Sequence, residues 1–249
     1  MNKCPIAAAA AAALACCWLL TACGGGSDDS GAAASLAGLY EGSGGANRAS
    51  ELLILDSGRY YLVYGLNSSS AAPAGGVIVG DGSVSGNVLS SGNARDFSLQ
   101  ADTLLAGTLT STVAPRVQAS TALLRSDGSS ATYAGTYNAG SGGAPSLSTL
   151  AGTYGGQLGA LNVDDASVLT IDASGVIAGV AAGSSCTYGG LALPHGSGNV
   201  FDIRLNFGSG CPHAGSTLRG HAFLSGKVLV AVTVNGDLTA MVLFSGVKP

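Results

Sequence analysis

The run Val228-Leu229-Val230-Ala231-Val232-Thr233-Val234 decides the fold class. Valine stands at every second position. β-branched side chains favour an extended backbone, and the period of two puts all four valines on one face of a strand. Asn235-Gly236 follows. This pair suits a type I′ hairpin turn, in which both central residues take positive φ, so the chain is expected to return as a strand over 238–244. Working outward, the same pattern recurs in shorter pieces. Strands are predicted over 51–56 and 59–65 around Ser57-Gly58, and over 167–172 and 176–180 around Ala173-Ser174-Gly175. Others are predicted over 76–84, 97–101, 103–112, 117–124, 132–137, 187–193, 200–207 and 217–224. Beyond residue 22 no segment carries ten residues of clean helical period. The expected class is all-β.

The strands fall into two related halves. Leu36-Ala37-Gly38-Leu39-Tyr40-Glu41-Gly42 recurs as Leu150-Ala151-Gly152-Thr153-Tyr154-Gly155-Gly156. The run from Ala49 to Gly58 is echoed from Ala166 to Gly175, and Ser91-Gly92-Asn93-Ala94-Arg95-Asp96 resembles Ser197-Gly198-Asn199-Val200-Phe201-Asp202. The order is kept across all three matches, which predicts a duplicated unit of roughly 100 residues. The expected layout is β-domain 1 over 36–137, a linker over 138–149 containing Gly140-Ser141-Gly142-Gly143-Ala144-Pro145, and β-domain 2 over 150–249. Short, locally connected strands predict antiparallel meanders, closed as a small barrel or stacked as a sandwich. Their core is expected from aliphatic residues with Tyr40, Tyr60, Tyr61, Phe97, Tyr154, Phe201, Phe207, Phe223 and Phe244 as the larger fillers.

Composition narrows the function classes. Glycine supplies 40 of the 249 residues without a period of three, which excludes collagen. A net charge of -4 argues against a nucleic-acid partner, which would call for a basic patch. A membrane-spanning pore is disfavoured because aromatic residues reach only 6% and several strands are too short for a bilayer.

The N-terminus reads as a targeting segment over 1–22. Lys3 is followed by an apolar stretch over 6–22 that ends in Leu20-Thr21-Ala22-Cys23. This sequence resembles the signal peptide and lipobox of bacterial lipoproteins. The resemblance implies that residues 1–22 are removed, that Cys23 is acylated, and that Gly24 in place of aspartate directs the protein to the outer membrane. Residues 23–35 then read as a flexible Gly/Ser-rich tether. Cys4, Cys16, Cys17 and Cys23 belong to this segment, leaving Cys186 and Cys211 as an even pair in an oxidising compartment, where a disulfide is expected.

Catalytic signatures are missing: there is no Gly-x-Ser-x-Gly elbow, no Gly-x-x-x-x-Gly-Lys motif and no His-Glu-x-x-His. Cys211-Pro212-His213 with His195 and His221 offers only a weak version of a zinc pattern, so no metal or other cofactor is expected. Asp164-Asp165 reads as a solvated turn. Asp96 and Asp202 read as equivalent turn-forming residues, with Arg95 and Arg204 as candidate partners. Tyr60, Tyr61 and Tyr64 form the aromatic cluster that could serve as a binding patch. These observations point to a lipid-anchored envelope lipoprotein that is not an enzyme and has a binding, adhesion or structural role. Its partner is the membrane through the lipid, with any protein or small-molecule partner unspecified. The alternatives are a small-ligand carrier with an apolar cavity in one or both barrels and, more distantly, an envelope hydrolase.

Overall fold

The computed structural model describes residues 35–44, 49–66, 74–196 and 198–248. The signal segment, Cys23 and nearly all of the tether lie outside them. Nine strands form the first half: β1 (Gly38–Gly44), β2 (Ala49–Ile54), β3 (Arg59–Leu66), β4 (Gly76–Asp81), β5 (Ser83–Ser85), β6 (Val88–Ser98), β7 (Thr103–Ala114), β8 (Gln118–Arg125) and β9 (Ser130–Tyr137). All neighbours are antiparallel, β9 returns to β1, and β4 pairs with β6, so eight strands close a barrel with β5 as a short flap on β6. The second half has eight: β10 (Gly152–Ala160), β11 (Val163–Ile171), β12 (Val176–Ala181), β13 (Thr187–Pro194), β14 (Val200–Phe207), β15 (Thr217–Ser225), β16 (Val228–Val234) and β17 (Met241–Val247). They close as a simple up-and-down barrel. The two tandem antiparallel β-domains are therefore barrels, not sandwiches.

The first two sequence matches hold in detail. Tyr40 opposes Leu52 and Tyr154 opposes Leu169 at the same register. The Tyr40 hydroxyl donates to Leu36 O at 3.1 Å and that of Tyr154 to Leu150 O at 2.5 Å, so each barrel ties the chain entering its first strand in the same way. Gly58 and Gly175 close the equivalent turn with φ of +83° and +87°, where a Cβ would stand 2.2 Å from Gly82 O or 2.3 Å from Ala192 O. Only glycine fits both the conformation and the space.

The third match fails at residue level. Ile78 opposes Asp96, while its positional counterpart Tyr188 opposes Phe207. Asp96 thus corresponds to Phe207, not to Asp202. The strands are equivalent, but Asp96 is the ninth residue of β6 whereas Asp202 is the third of β14, so the motif falls at different points along the two strands. Asp96 is buried inside barrel 1, whereas Asp202 points outward from barrel 2.

Three further expectations change. The Asn235-Gly236 turn is not type I′: among residues 235–240 positive φ falls on Leu238, and the Asn235 carboxamide oxygen accepts the N–H groups of Thr239 and Ala240. The loop is consequently longer, and β17 starts at Met241. The stretches 38–44 and 152–160 are strands that glycine content concealed, and β6 runs back to Val88 through the predicted Ser/Gly turn. The linker is ordered. A 3-10 turn over Ala139–Gly142 is capped by Asn138, and a single α-helical turn, Leu147–Leu150, inserts Leu150 into the core of barrel 2.

Both interiors are filled. Barrel 2 packs Tyr154, Leu158, Tyr188, Phe201, Phe207 and Phe244 inward, and barrel 1 packs Tyr40, Leu52, Tyr60, Leu62 and Leu109. The cavity beside Tyr40, Leu62 and Tyr133 measures about 10 Å³, room for a single water at most. Eight strands give an interior that side chains alone can fill.

A separate hydrophobic cluster lies between the barrels. Leu39, Leu53, Tyr61, Val63, Val77, Val79 and Phe97 from the outer face of barrel 1 meet Val200, Phe223, Val230, Val232, Val234, Met241 and Leu243 from barrel 2. This explains the opening sequence run. The valines of β16 face barrel 1, while Leu229 and Ala231 face the interior of barrel 2, so the strand is apolar on both sides because both sides are covered. Polar ties flank the cluster: Ser225 Oγ donates to Glu41 Oε1 at 2.6 Å, and Asn162 N donates to Asp102 Oδ1 at 2.9 Å. The described residues of both barrels belong to one compact unit.

Candidate functional site

At the edge of this cluster the hairpin β13–β14 and the neighbouring strand β15 bring three side chains together. His195 follows β13, held by its backbone N–H to Val200 O at 2.9 Å. Asp202 on β14 lies opposite His221 on β15, both outward. His195 Nδ1 is 2.7 Å and His221 Nε2 3.1 Å from the same Asp202 oxygen, and the two rings stand perpendicular with centroids 5.1 Å apart. From barrel 1, the Tyr61 hydroxyl lies 2.9 Å from His221 Nδ1. An ionised carboxylate only accepts hydrogen bonds, so both nitrogens facing Asp202 carry protons and His221 Nδ1 accepts from Tyr61. The order is Tyr61 → His221 → Asp202 ← His195.

Burial holds the His221 imidazole well below its ordinary pKa; Asp202 opposes this, and His195 and Arg59 add to it. The ring is neutral at neutral pH. Burial likewise pushes the Tyr61 hydroxyl up to about 12. Arg59 pairs with Asp81 at 2.7 Å beside the site. Asp202 remains 52% exposed, so the cluster opens to solvent on the barrel 2 side. His195 also lines a groove of about 470 Å³ where the barrels meet, with Leu53, Leu55, Arg116, Tyr137 and Val200.

A second charged cluster sits across the junction. Glu41 and Glu51 are cross-strand partners on β1 and β2. Burial pushes the Glu51 carboxyl up to about 7; the Ser225 hydroxyl works against this and Glu41 with it. Glu51 Oε2 is buried without a hydrogen-bond partner.

The sequence-predicted residues distribute as follows. Cys186 and Cys211 form a disulfide with Cα atoms 4.4 Å apart, on the loops that follow β12 and β14. Tyr60, Tyr61 and Tyr64 are not a surface patch. Tyr60 is inside barrel 1, Tyr61 is covered by barrel 2, and Tyr64 turns inward to donate to Asp96 at 2.8 Å. The reason is again that both faces of the strand are occupied. Asp96 pairs with Arg125 Nε rather than with Arg95. Asp164 and Asp165 lie in β11 rather than in a turn of their own; Asp165 accepts from Gly183 N, Ser184 N and Ser184 Oγ, each at 2.7 Å, and so organises the turn after β12. His213 adopts a left-handed conformation in the loop after Cys211, and neither of these residues joins the His195 cluster. The weak zinc pattern of the sequence held His195 and His221 together with Cys211 and His213, which lie elsewhere, and missed Asp202, which was matched with Asp96 by motif. The usable signal was the hairpin register, which sets Asp202 seven residues after His195 on the returning strand.

No protein-family model and no curated protein matches the chain. Among solved structures it is similar to a protein of unknown function from the DUF3598 family of Nostoc punctiforme, at 14% identity over 86% of this chain and 96% of that one, with a TM-score of 0.27.

Proposed function

We propose that the protein is a lipid-anchored component of the outer membrane, held through Cys23, that acts by binding at its outer surface rather than by catalysis or by enclosing a ligand. The observation that carries this reading is the filling of both barrel interiors by the protein's own side chains, with no chamber for an apolar cargo seen among the described residues. A body of two barrels joined through a buried cluster suits presentation of a fixed surface at the end of a tether. A binding role fits the His195 cluster too. Tyr61, His221 and Asp202 have the hydrogen-bond order of a nucleophile, base and orienting acid, but Tyr61 is 2% exposed and out of a substrate's reach.

Intact and native mass spectrometry of protein extracted from membranes tests the reading. The expected species begins at Cys23, carries acyl mass and holds no additional lipophilic molecule. A mature chain with no acyl mass would overturn the anchor. An apolar small molecule that co-purifies in stoichiometric amount would overturn surface binding in favour of a carrier.

A further inference from the structure

We propose that His195, Asp202 and His221 bind one zinc-class divalent cation, with Tyr61 as the residue that orients His221. The donors are of the right kind: two imidazole nitrogens and a carboxylate oxygen suit zinc and its late first-row neighbours. They are also close to the right separation. The ligating atoms all lie within 4.8 Å of one another, and Asp202 is already 2.7 Å and 3.1 Å from the two nitrogens. With metal–donor bonds of ~2.0–2.2 Å, tetrahedral donors stand about 3.3 Å apart. Side-chain torsion alone covers the difference, since His195 sits on a loop and Asp202 is half exposed.

A partner that holds the ligating ring is present as well. A ligating histidine needs its other ring nitrogen protonated and held by an acceptor. Tyr61 Oη can serve, because a hydroxyl both donates and accepts. Without metal it donates to His221 Nδ1; with metal on Nε2, the imidazole proton moves to Nδ1 and Tyr61 accepts it. The same contact therefore holds either tautomer. The local charge also agrees: the cluster brings one carboxylate, and the neighbouring cation Arg59 is already paired with Asp81. Three protein ligands on an open face leave a coordination position for water or an anionic group, the arrangement that distinguishes an exchangeable site from a closed structural one.

The test uses the mature full-length chain in detergent, stripped with chelator and titrated with ZnCl₂ by calorimetry, and with Co²⁺ by its ligand-field spectrum. One equivalent of either metal is expected to bind. Asp202→Asn, which keeps the shape of a half-exposed side chain, and His195→Ala should each weaken binding by more than about 100-fold, beyond what loss of an outer hydrogen bond costs. Tyr61→Phe should weaken it by about tenfold, and His213→Ala should leave it unchanged. Absence of stoichiometric binding, or binding that survives Asp202→Asn and His195→Ala, would overturn the site. An affinity unchanged in Tyr61→Phe would remove Tyr61 from it.

Discussion

Glu51 and Val168 occupy the same position in the two barrels. Each follows a buried serine on the second strand and points outward, yet the glutamate is 9% exposed and the valine 51%. The reversal follows from what covers the strand. The outer face of β2 lies against barrel 2, while that of β11 faces water. A similar contrast separates Asp96, turned into barrel 1 onto Tyr64 and Arg125, from Asp202, turned out toward two histidines. The two barrels share what each needs inside: the tyrosine tie at the first strand, the turn glycine and the register of the first two strands. Their outer faces differ according to whether they pack, cap the junction or meet solvent.

The sharpest way to break this comparison is to remove the two aspartates. Asp96→Ala strips a buried partner from Arg125 and Tyr64 and should cost about 3 kcal/mol. Asp202→Ala in chelator-treated protein should cost less than about 1 kcal/mol, as expected for an exposed pair. Denaturant melts of the two variants check the difference, and equal costs would contradict the inside–outside assignment. Next in size is the disulfide, which barrel 1 lacks. Cys186→Ala with Cys211→Ala opens a separation of 25 residues and should cost about 3 kcal/mol. Hydrogen exchange should show the first loss of protection in β12 to β15 rather than in barrel 1.

Glu51 adds a pH term that Val168 cannot. Its folded pKa is raised to about 7 from an ordinary 4.5, so the folded state holds its proton after the unfolded chain has released it. Stability is therefore fully present below about pH 4.5 and falls as pH rises toward 7, by an amount on the order of 3 kcal/mol. Glu51→Gln should flatten that slope in melts taken across the same range. The smallest effect tests the shared frame. Tyr40→Phe and Tyr154→Phe each delete the donor to a buried carbonyl and should cost about 1 kcal/mol apiece, Tyr40 somewhat more because the Arg116 backbone also bonds its hydroxyl. A large inequality between them would mean that the two ties are not equivalent.

Much of the framework was legible in the chain. The period-two runs located most strands, the Leu-Ala-Gly and Ala-Ser matches located the equivalent first strands and turn of the two barrels, and the even pair of cysteines located the disulfide, because each signal depends on local geometry or on counting. The Ser-Gly-Asn-x-x-Asp match misled because a short polar motif does not say where along a strand it falls: late in β6, but at the start of β14. The period of two by itself puts Tyr60 and Tyr64 on one face of β3 and Tyr61 on the other, as the structure has them. What lay over each face could not be read, since that depends on a strand more than a hundred residues away.

The sequence by itself determined that the chain is all-β, that it falls into two tandem β-domains, and that Cys186 and Cys211 pair. Backbone propensity, side-chain alternation and turn chemistry act over a few residues and are written where they act. Only the tertiary structure decided that the barrels close and fill, that the valines of β16 join one barrel to the other, and that His195, Asp202 and His221 meet at their junction. Those outcomes depend on strand register and on which outer face is taken from water, and both are set by packing between segments far apart in the chain.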